Sequence, residues 1–206
     1  MSDTAVIWPE ATERLRADAA FGPVVEEVGP VLVPVLGDPH FPYLARAIVY
    51  QQLAGRAAAT IHGRLVDALG GDVTPGAILD TPEDALRGAG LSRAKLASIR
   101  DLAEKVSVGE VLLEELDGLD DDAVKESLVR VRGIGPWTAD MFLMFKLRRP
   151  DVWPTGDLGV RAGWAQLHGL EDAPPARELG PLGDPYRPWR SAAAWYCWRA
   201  LEVTLP

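Results

Sequence analysis

Cysteine is almost missing from this 206-residue chain, in which Cys197 stands alone. One thiol cannot close a disulfide within the chain, and it cannot supply the four closely spaced ligands of an iron–sulfur cluster. Histidine is nearly as scarce. His40, His62 and His168 lie far apart, lack the spacing of a metal site, and read as surface or hydrogen-bonded residues. No apolar run approaches the roughly 20 residues that a membrane-spanning helix needs. The opening, MSDTAVIWPEATERLR, has neither a basic start nor an apolar stretch, so no signal peptide is expected. A reducing cytoplasm and no membrane partner follow as expectations. There is no alternating strand series, no repeat and no low-complexity tract. Positive charge is also short, since 21 Lys and Arg against 30 Asp and Glu give a net −9. Taken whole, that balance argues against a polyanionic partner.

The distribution of charge changes that reading. Residues 1–129 hold 11 Lys/Arg and 22 Asp/Glu, whereas residues 130–206 hold 10 and 8. Arg130, Arg132, Lys146, Arg148 and Arg149 crowd one short stretch, so a local positive surface with weak, salt-sensitive affinity for DNA is expected. The acidic run EELDGLDDD at 114–122 reads as a solvated face, with Asp120 or Asp121 capping the helix that follows.

Hydrophobic residues make up 48% of the chain, enough for a sizeable core. Their spacing is mostly helical, and the fold class expected is all-α. Helices are predicted over 24–35, 41–53, 57–69, 92–106, 121–131, 137–147, 158–167 and 190–203. Thr81-Pro82-Glu83-Asp84 reads as another capped helix start. The Pro- and Gly-rich stretch 169–189 is expected to be irregular, apart from a short helix near Ala176.

The most informative stretch is 131–164, VRGIGPWTADMFLMFKLRRPDVWPTGDLGVRAGW. Gly133 and Gly135 allow positive φ and leave their N–H groups uncovered, and Pro136 suits the first position of a helix. The helix start then offers unpaired N–H donors and partial positive charge to a phosphate. Helix, Gly-rich hairpin, helix is a pattern that grips a DNA backbone without reading sequence. On Gly-x-Gly alone, an ordinary tight turn between two core helices is the better reading. No Lys-Ser/Thr follows the second Gly, so this is not a Walker-type phosphate loop. Asp157 sits after a Pro-rich break, at what looks like a helix start, and an isolated Asp there would be read as an N-cap.

Four segments taken together resemble the helix-hairpin-helix/Gly-Pro-Asp superfamily of DNA glycosylases, in particular its 3-methyladenine DNA glycosylase II group. They are RAIVYQQLAGRAA (46–58), GIGPWTAD (133–140), VWPTGDLGV (152–160) and PWRSAAAWYCW (188–198). Their order and separations also fit. The resemblance implies two helical lobes with an active-site cleft between them, one lobe combining the N- and C-terminal segments and the other taking the middle. Residues 1–39 would be an N-terminal helical segment, too short for more than a stub of the β domain that larger relatives carry. Residues 40–206 would be the glycosylase core, with the hairpin motif at about 121–147.

By position, the resemblance implies that Asp157 is the catalytic aspartate. Gln52 and Leu53 would enter the duplex, Leu53 as the wedge. Trp198 would form an aromatic wall of the base pocket, with Trp137 beside it. Arg132, Gly133 and Gly135 would meet the DNA backbone. The carbonyls of Val129, Val131 and Ile134 would bind a monovalent cation, Na⁺ or K⁺, and no other cofactor is required. Members that also cut the backbone carry a Lys where this chain has Trp137. Lys95 and Lys146 are the remaining candidates for that role, and neither stands at the matching place.

The chemistry is consistent with these assignments. A base must leave the duplex before its glycosidic bond can be reached, and an apolar side chain plugs the gap. Bond cleavage builds positive charge on the sugar, which a carboxylate in a site of low dielectric stabilises. An alkylated base is already cationic and binds indole faces at ~0.5–2 kcal/mol per contact.

The function expected is therefore a monofunctional glycosylase of base excision repair, a monomer acting on damaged double-stranded DNA. It would release 3-methyladenine and 7-methylguanine type bases and leave an abasic site. The alternatives are a glycosylase for deaminated or mismatched bases, and a noncatalytic helix-hairpin-helix DNA-binding module. Tyr43, Phe41 and Trp8 are further candidates for the pocket wall. Asp140 is expected to pair with a nearby Arg, and Arg161 to face either phosphate or Asp157.

Overall fold

The computed structural model describes residues 4–34 and 37–203. The chain divides into two units, Met1–Leu36 with Leu143–Pro206, and Gly37–Phe142. The N- and C-terminal stretches thus share one unit, and the middle of the chain forms the other.

The first unit begins with a strand, β1 (Thr4–Val6), followed by helices α1 (Pro9–Arg16) and α2 (Gly22–Val28) and a second strand, β2 (Leu32–Pro34). The strands pair antiparallel, Ala5 opposite Val33. This corrects the helix expected over 24–35. Gly29 takes φ +76, its N–H bonds the Val25 carbonyl, and Pro30 follows, so the helix stops there. The valines beyond it serve a strand instead, and Val35 lies outside the described residues. The N-terminal segment read as purely helical therefore also holds a two-stranded ribbon.

The second unit runs α3 (His40–Tyr50), α4 (Gly55–Ala68), α5 (Pro75–Asp80), α6 (Glu83–Gly88), α7 (Arg93–Ser107), a 3₁₀ turn (Leu113–Gly118), α8 (Asp121–Leu128) and α9 (Pro136–Met141). Ile48, Leu65, Ile78, Leu86, Ile99, Leu102, Leu116 and Leu128 are fully buried and form its core. Sequence-local caps set several starts. The Ser92 hydroxyl accepts the Lys95 N–H at 3.2 Å, and Asp120 Oδ1 accepts the Ala123 N–H at 2.8 Å. Thr81 behaves differently from expectation. Its hydroxyl donates back to the Ala77 carbonyl at 2.7 Å and closes α5, while Pro82 occupies the N-cap of α6. Helix α3 ends at Tyr50, three residues earlier than expected, and 51–54 form a turn.

After α9 the helix widens into one π-helical turn, Phe142–Lys146. The first unit then resumes with α10 (Leu158–Leu167), α11 (Ala176–Leu182), a 3₁₀ turn (Asp184–Tyr186) and α12 (Arg190–Ala200). Helix α12 buries Ala192, Ala193, Ala194, Tyr196 and Cys197 completely. Its close approach to α10 rests on Gly163, where a side chain would meet the backbone of Cys197. Phe21, Trp164, Tyr186 and Trp153 pack edge to face around it, at 5.0–6.2 Å between ring centres. His168 stacks on Trp164 at 3.9 Å. The Tyr196 hydroxyl reaches the Gly29 carbonyl at 2.9 Å, tying α12 to the end of α2. No described helix is long and apolar enough to cross a membrane.

Candidate active site and nucleic-acid interface

Asp157 is the N-cap of α10, and its side chain is buried, 9% exposed. Its Oδ1 accepts two donors from different parts of the chain. The Val160 N–H lies at 2.7 Å and the Trp198 indole N–H at 2.8 Å. The capping role anticipated for an isolated Asp is real, but a cap does not need the second donor. Trp198 comes from α12, 41 residues on, and its ring lies 5.8 Å from that of Phe145. The charge of Asp157 is felt nearby, because burial first and that carboxylate second push the Cys197 thiol up. Leu158, immediately after Asp157, is 75% exposed, a large apolar side chain that sequence reasoning passed over.

The hairpin belongs to the second unit. Val131 and Ile134 are buried and anchor it, while Val129, Arg130, Arg132 and Gly133 are exposed. Gly133 takes φ +78, and a Cβ there would collide with the Ser98 hydroxyl, so glycine is needed both for backbone angle and for space. Gly135 differs from expectation. Its φ is −95, and it caps α9 with no neighbour near a hypothetical Cβ. Asp101 on α7 holds the hairpin in place. Its Oδ2 accepts the Arg132 N–H at 2.7 Å, and its Oδ1 takes Lys105 Nζ at 2.6 Å.

Burial would raise the Asp101 carboxyl, but the Lys105 and Arg132 bonds outweigh it and hold the carboxyl below its ordinary range. A carboxyl depressed by folding adds stability above its unfolded pKa, and that stability is lost as pH falls through the folded value. Asp101→Asn should therefore destabilise the protein by about 1 kcal/mol at neutral pH. The difference should vanish in acid below the folded pKa, as urea unfolding across pH would read. A penalty independent of pH would contradict this assignment.

The turn after α3 is where the resemblance puts the duplex wedge. Gln52 is exposed with φ +56, and Leu53 is 38% exposed. Two residues hold this turn from behind. Lys95 Nζ donates to the carbonyls of Val49 and Gln51, at 2.5 and 2.7 Å, and burial pushes its pKa down. The Gln51 amide donates to the Gly133 carbonyl at 2.9 Å, tying the turn to the hairpin. Sequence reasoning singled out Gln52 and missed Gln51, whose neighbour in the chain is identical in type.

A cavity of about 550 Å³ opens beside that turn, lined among others by Tyr43, Tyr50, Gln51, Trp137, Thr138 and Met141. All its lining residues belong to the second unit. Tyr43, Ala47 and Tyr50 share one face of α3, and Trp137 and Met141 share one face of α9, by helical spacing. Burial pushes the Tyr43 hydroxyl up to about 12, so it stays protonated and can donate. Trp137 is 48% exposed. Trp198, expected as a pocket wall, belongs to the first unit, and its indole N–H donates to Asp157. Phe41 and Trp8 are buried elsewhere, and the Trp8 indole donates to the Arg148 carbonyl at 3.2 Å.

Other side chains also have definite places. Asp140 pairs with Lys125 at 2.7 Å and not with an Arg. Arg161 Nε donates to the Pro174 carbonyl at 2.7 Å. His40 bonds Asp117 at 2.7 Å, and His62 packs edge-on to Tyr50.

Comparison with known proteins identifies the family. Residues 45–180 match the family described as HhH-GPD superfamily base excision DNA repair protein. DNA-3-methyladenine glycosylase 1 of Schizosaccharomyces pombe is 36% identical over 163 residues, covering 78% of this chain and 72% of its own length. A crystal structure of DNA-3-methyladenine glycosidase from Bacillus halodurans superposes with a TM-score of 0.84 at 34% identity, over 96% of this chain and 92% of that one. The Schizosaccharomyces pombe Mag1 3-methyladenine DNA glycosylase in complex with abasic DNA gives 0.79 at 31% identity, over 95% and 98%. A family match across residues 45–180, joined to these two structural likenesses, places the chain in the HhH-GPD superfamily of base excision DNA repair proteins.

Proposed function

We propose that this protein is a monofunctional DNA glycosylase that removes alkylated bases from duplex DNA as a monomer and leaves an abasic site. The observation that carries this reading is the hold on Asp157, a buried carboxylate fixed by two donors from separate elements. Breaking the glycosidic bond sends the bonding electron pair out with the base and leaves positive charge on C1′ and the ring oxygen. A fixed carboxylate stabilises that charge at no cost of reorganisation. Water oxygen then bonds C1′, and its proton passes to Asp157. A base methylated on a ring nitrogen leaves as a neutral molecule. The indole and phenol faces of Trp137, Tyr43 and Tyr50 suit such a cationic base while it is still attached.

Strand cutting needs an amine nucleophile. Trp137 has none, and the Lys95 ammonium is engaged by two carbonyls. At the hairpin, Na⁺ or K⁺ would be held by the carbonyls of Val129, Val131 and Ile134. The Val131 carbonyl accepts the Ile134 N–H at 3.0 Å and keeps a second lone pair for an ion. Such an ion would join the backbone to a DNA phosphate.

Incubation with methylated duplex tests the reading. Chromatography should show free 3-methyladenine and 7-methylguanine, with strands intact until alkali is added. Release from uracil or hypoxanthine duplex alone would favour the other enzyme reading. Cutting without alkali would refute the monofunctional claim. Arg132→Glu should weaken DNA binding several-fold and lower the salt slope by about one. Unchanged affinity in a salt titration would remove the hairpin from the interface.

A further inference from the structure

We infer that Trp198 is a positioning residue for Asp157, acting through its indole N–H, and that Gly159 is glycine because that indole needs its space. The inference rests on the catalytic reading of Asp157 given above. The Val160 N–H holds Oδ1 from within α10. The Trp198 N–H reaches the same Oδ1 from α12, and two donors from different directions define the orientation.

Gly159 shows how tightly this contact is built. An ideal Cβ there would lie 2.7 Å from Trp198 Cδ1, 3.0 Å from its Nε1 and 3.1 Å from Asp157 Oδ1. The φ of Gly159 needs no glycine, so the only demand on this position is room for the indole and the carboxylate. Phe145 packs beside the same ring, 5.8 Å between centres. The segment Gly156-Asp157-Leu158-Gly159 therefore holds a capping acid and, two residues on, the gap that admits the second donor.

Two variants separate this role from that of a simple aromatic wall. Trp198→Phe keeps a ring and removes the N–H. Gly159→Ala keeps the tryptophan and displaces it. Single-turnover base release and affinity for methylated duplex are measured for each, with melting curves recorded to compare folding. The N–H bond to a charged acceptor predicts a rate loss of about 10- to 100-fold in both variants, with affinity for the damaged duplex within about twofold of the parent. Rates within about twofold of the parent would overturn the proposal. A loss confined to affinity would overturn it as well, because it would return Trp198 to base stacking. If Trp198→Phe fails to fold, Gly159→Ala carries the same comparison. An Asp157→Asn protein as active as the parent would instead refute the reading of Asp157 on which this role depends.

Discussion

Gly163→Ala is expected to lower stability by about 3 kcal/mol, near the upper end of what overpacking costs. In α10, the added methyl group would sit 2.5 Å from the Cys197 carbonyl carbon, 2.8 Å from its Cα, and closer still to its oxygen. Those atoms are helix backbone in α12 and cannot swing aside as the end of a side chain can. The two helices must separate, and the fully buried Ala193, Ala194 and Cys197 would lose contacts with them. For a chain of this size the melting temperature should fall by about 6–12 °C. Asp157 starts α10 and Trp198 lies on α12, so base release should fall too. Gly63→Ala is the contrasting control. Gly63 is an exposed mid-helix residue of α4 with nothing within 4 Å of a Cβ, so alanine there should stabilise by about 0.5–1 kcal/mol. A Gly163→Ala protein that melts with the parent would show that the α10–α12 contact is looser than described.

The sequence was legible where a helix carries its own boundary signals. Helix α7 follows its apolar spacing from the Ser92 cap, and α10 starts at Asp157 and runs Leu158–Leu167 as expected. Reading failed where a distant partner decides. The valines after Gly29 pair with a strand from the start of the chain, which local periodicity does not reveal. Thr81 has the chemistry of a helix start but closes the helix before it. At the site, the capping acid could be found from local sequence, and the hairpin from its glycines. The second donor to Asp157 lies 41 residues away, and no local signal pairs the two. Tyr43, Ala47 and Tyr50 stand at helical spacing, yet only the packing of α3 tells which face borders a cavity. Gln51 and Gln52 look alike in the chain. The fold turns one toward the Gly133 carbonyl and leaves the other exposed at positive φ.

Asp157→Asn is expected to reduce release of methylated bases at least about 100-fold, the scale seen when one preorganised electrostatic contact is removed from an enzyme. Asparagine caps helices as well as aspartate, so α10 should keep its start and the variant should fold. The Val160 N–H can still bond the amide oxygen, and the change is then one of charge and not of shape. Bases already cationic while attached to the sugar should tolerate the loss better than neutral ones, because less of their barrier depends on the carboxylate. DNA affinity should change little, since removing one negative charge near a polyanion cannot weaken attraction to it.

The most direct test is single-turnover release of 3-methyladenine from methylated duplex by the parent and Asp157→Asn proteins, matched for folding and DNA affinity. Release by the parent with a rate at least about 100-fold lower in the variant is the predicted result. Equal rates would mean that the carboxylate at position 157 is a helix cap and nothing more.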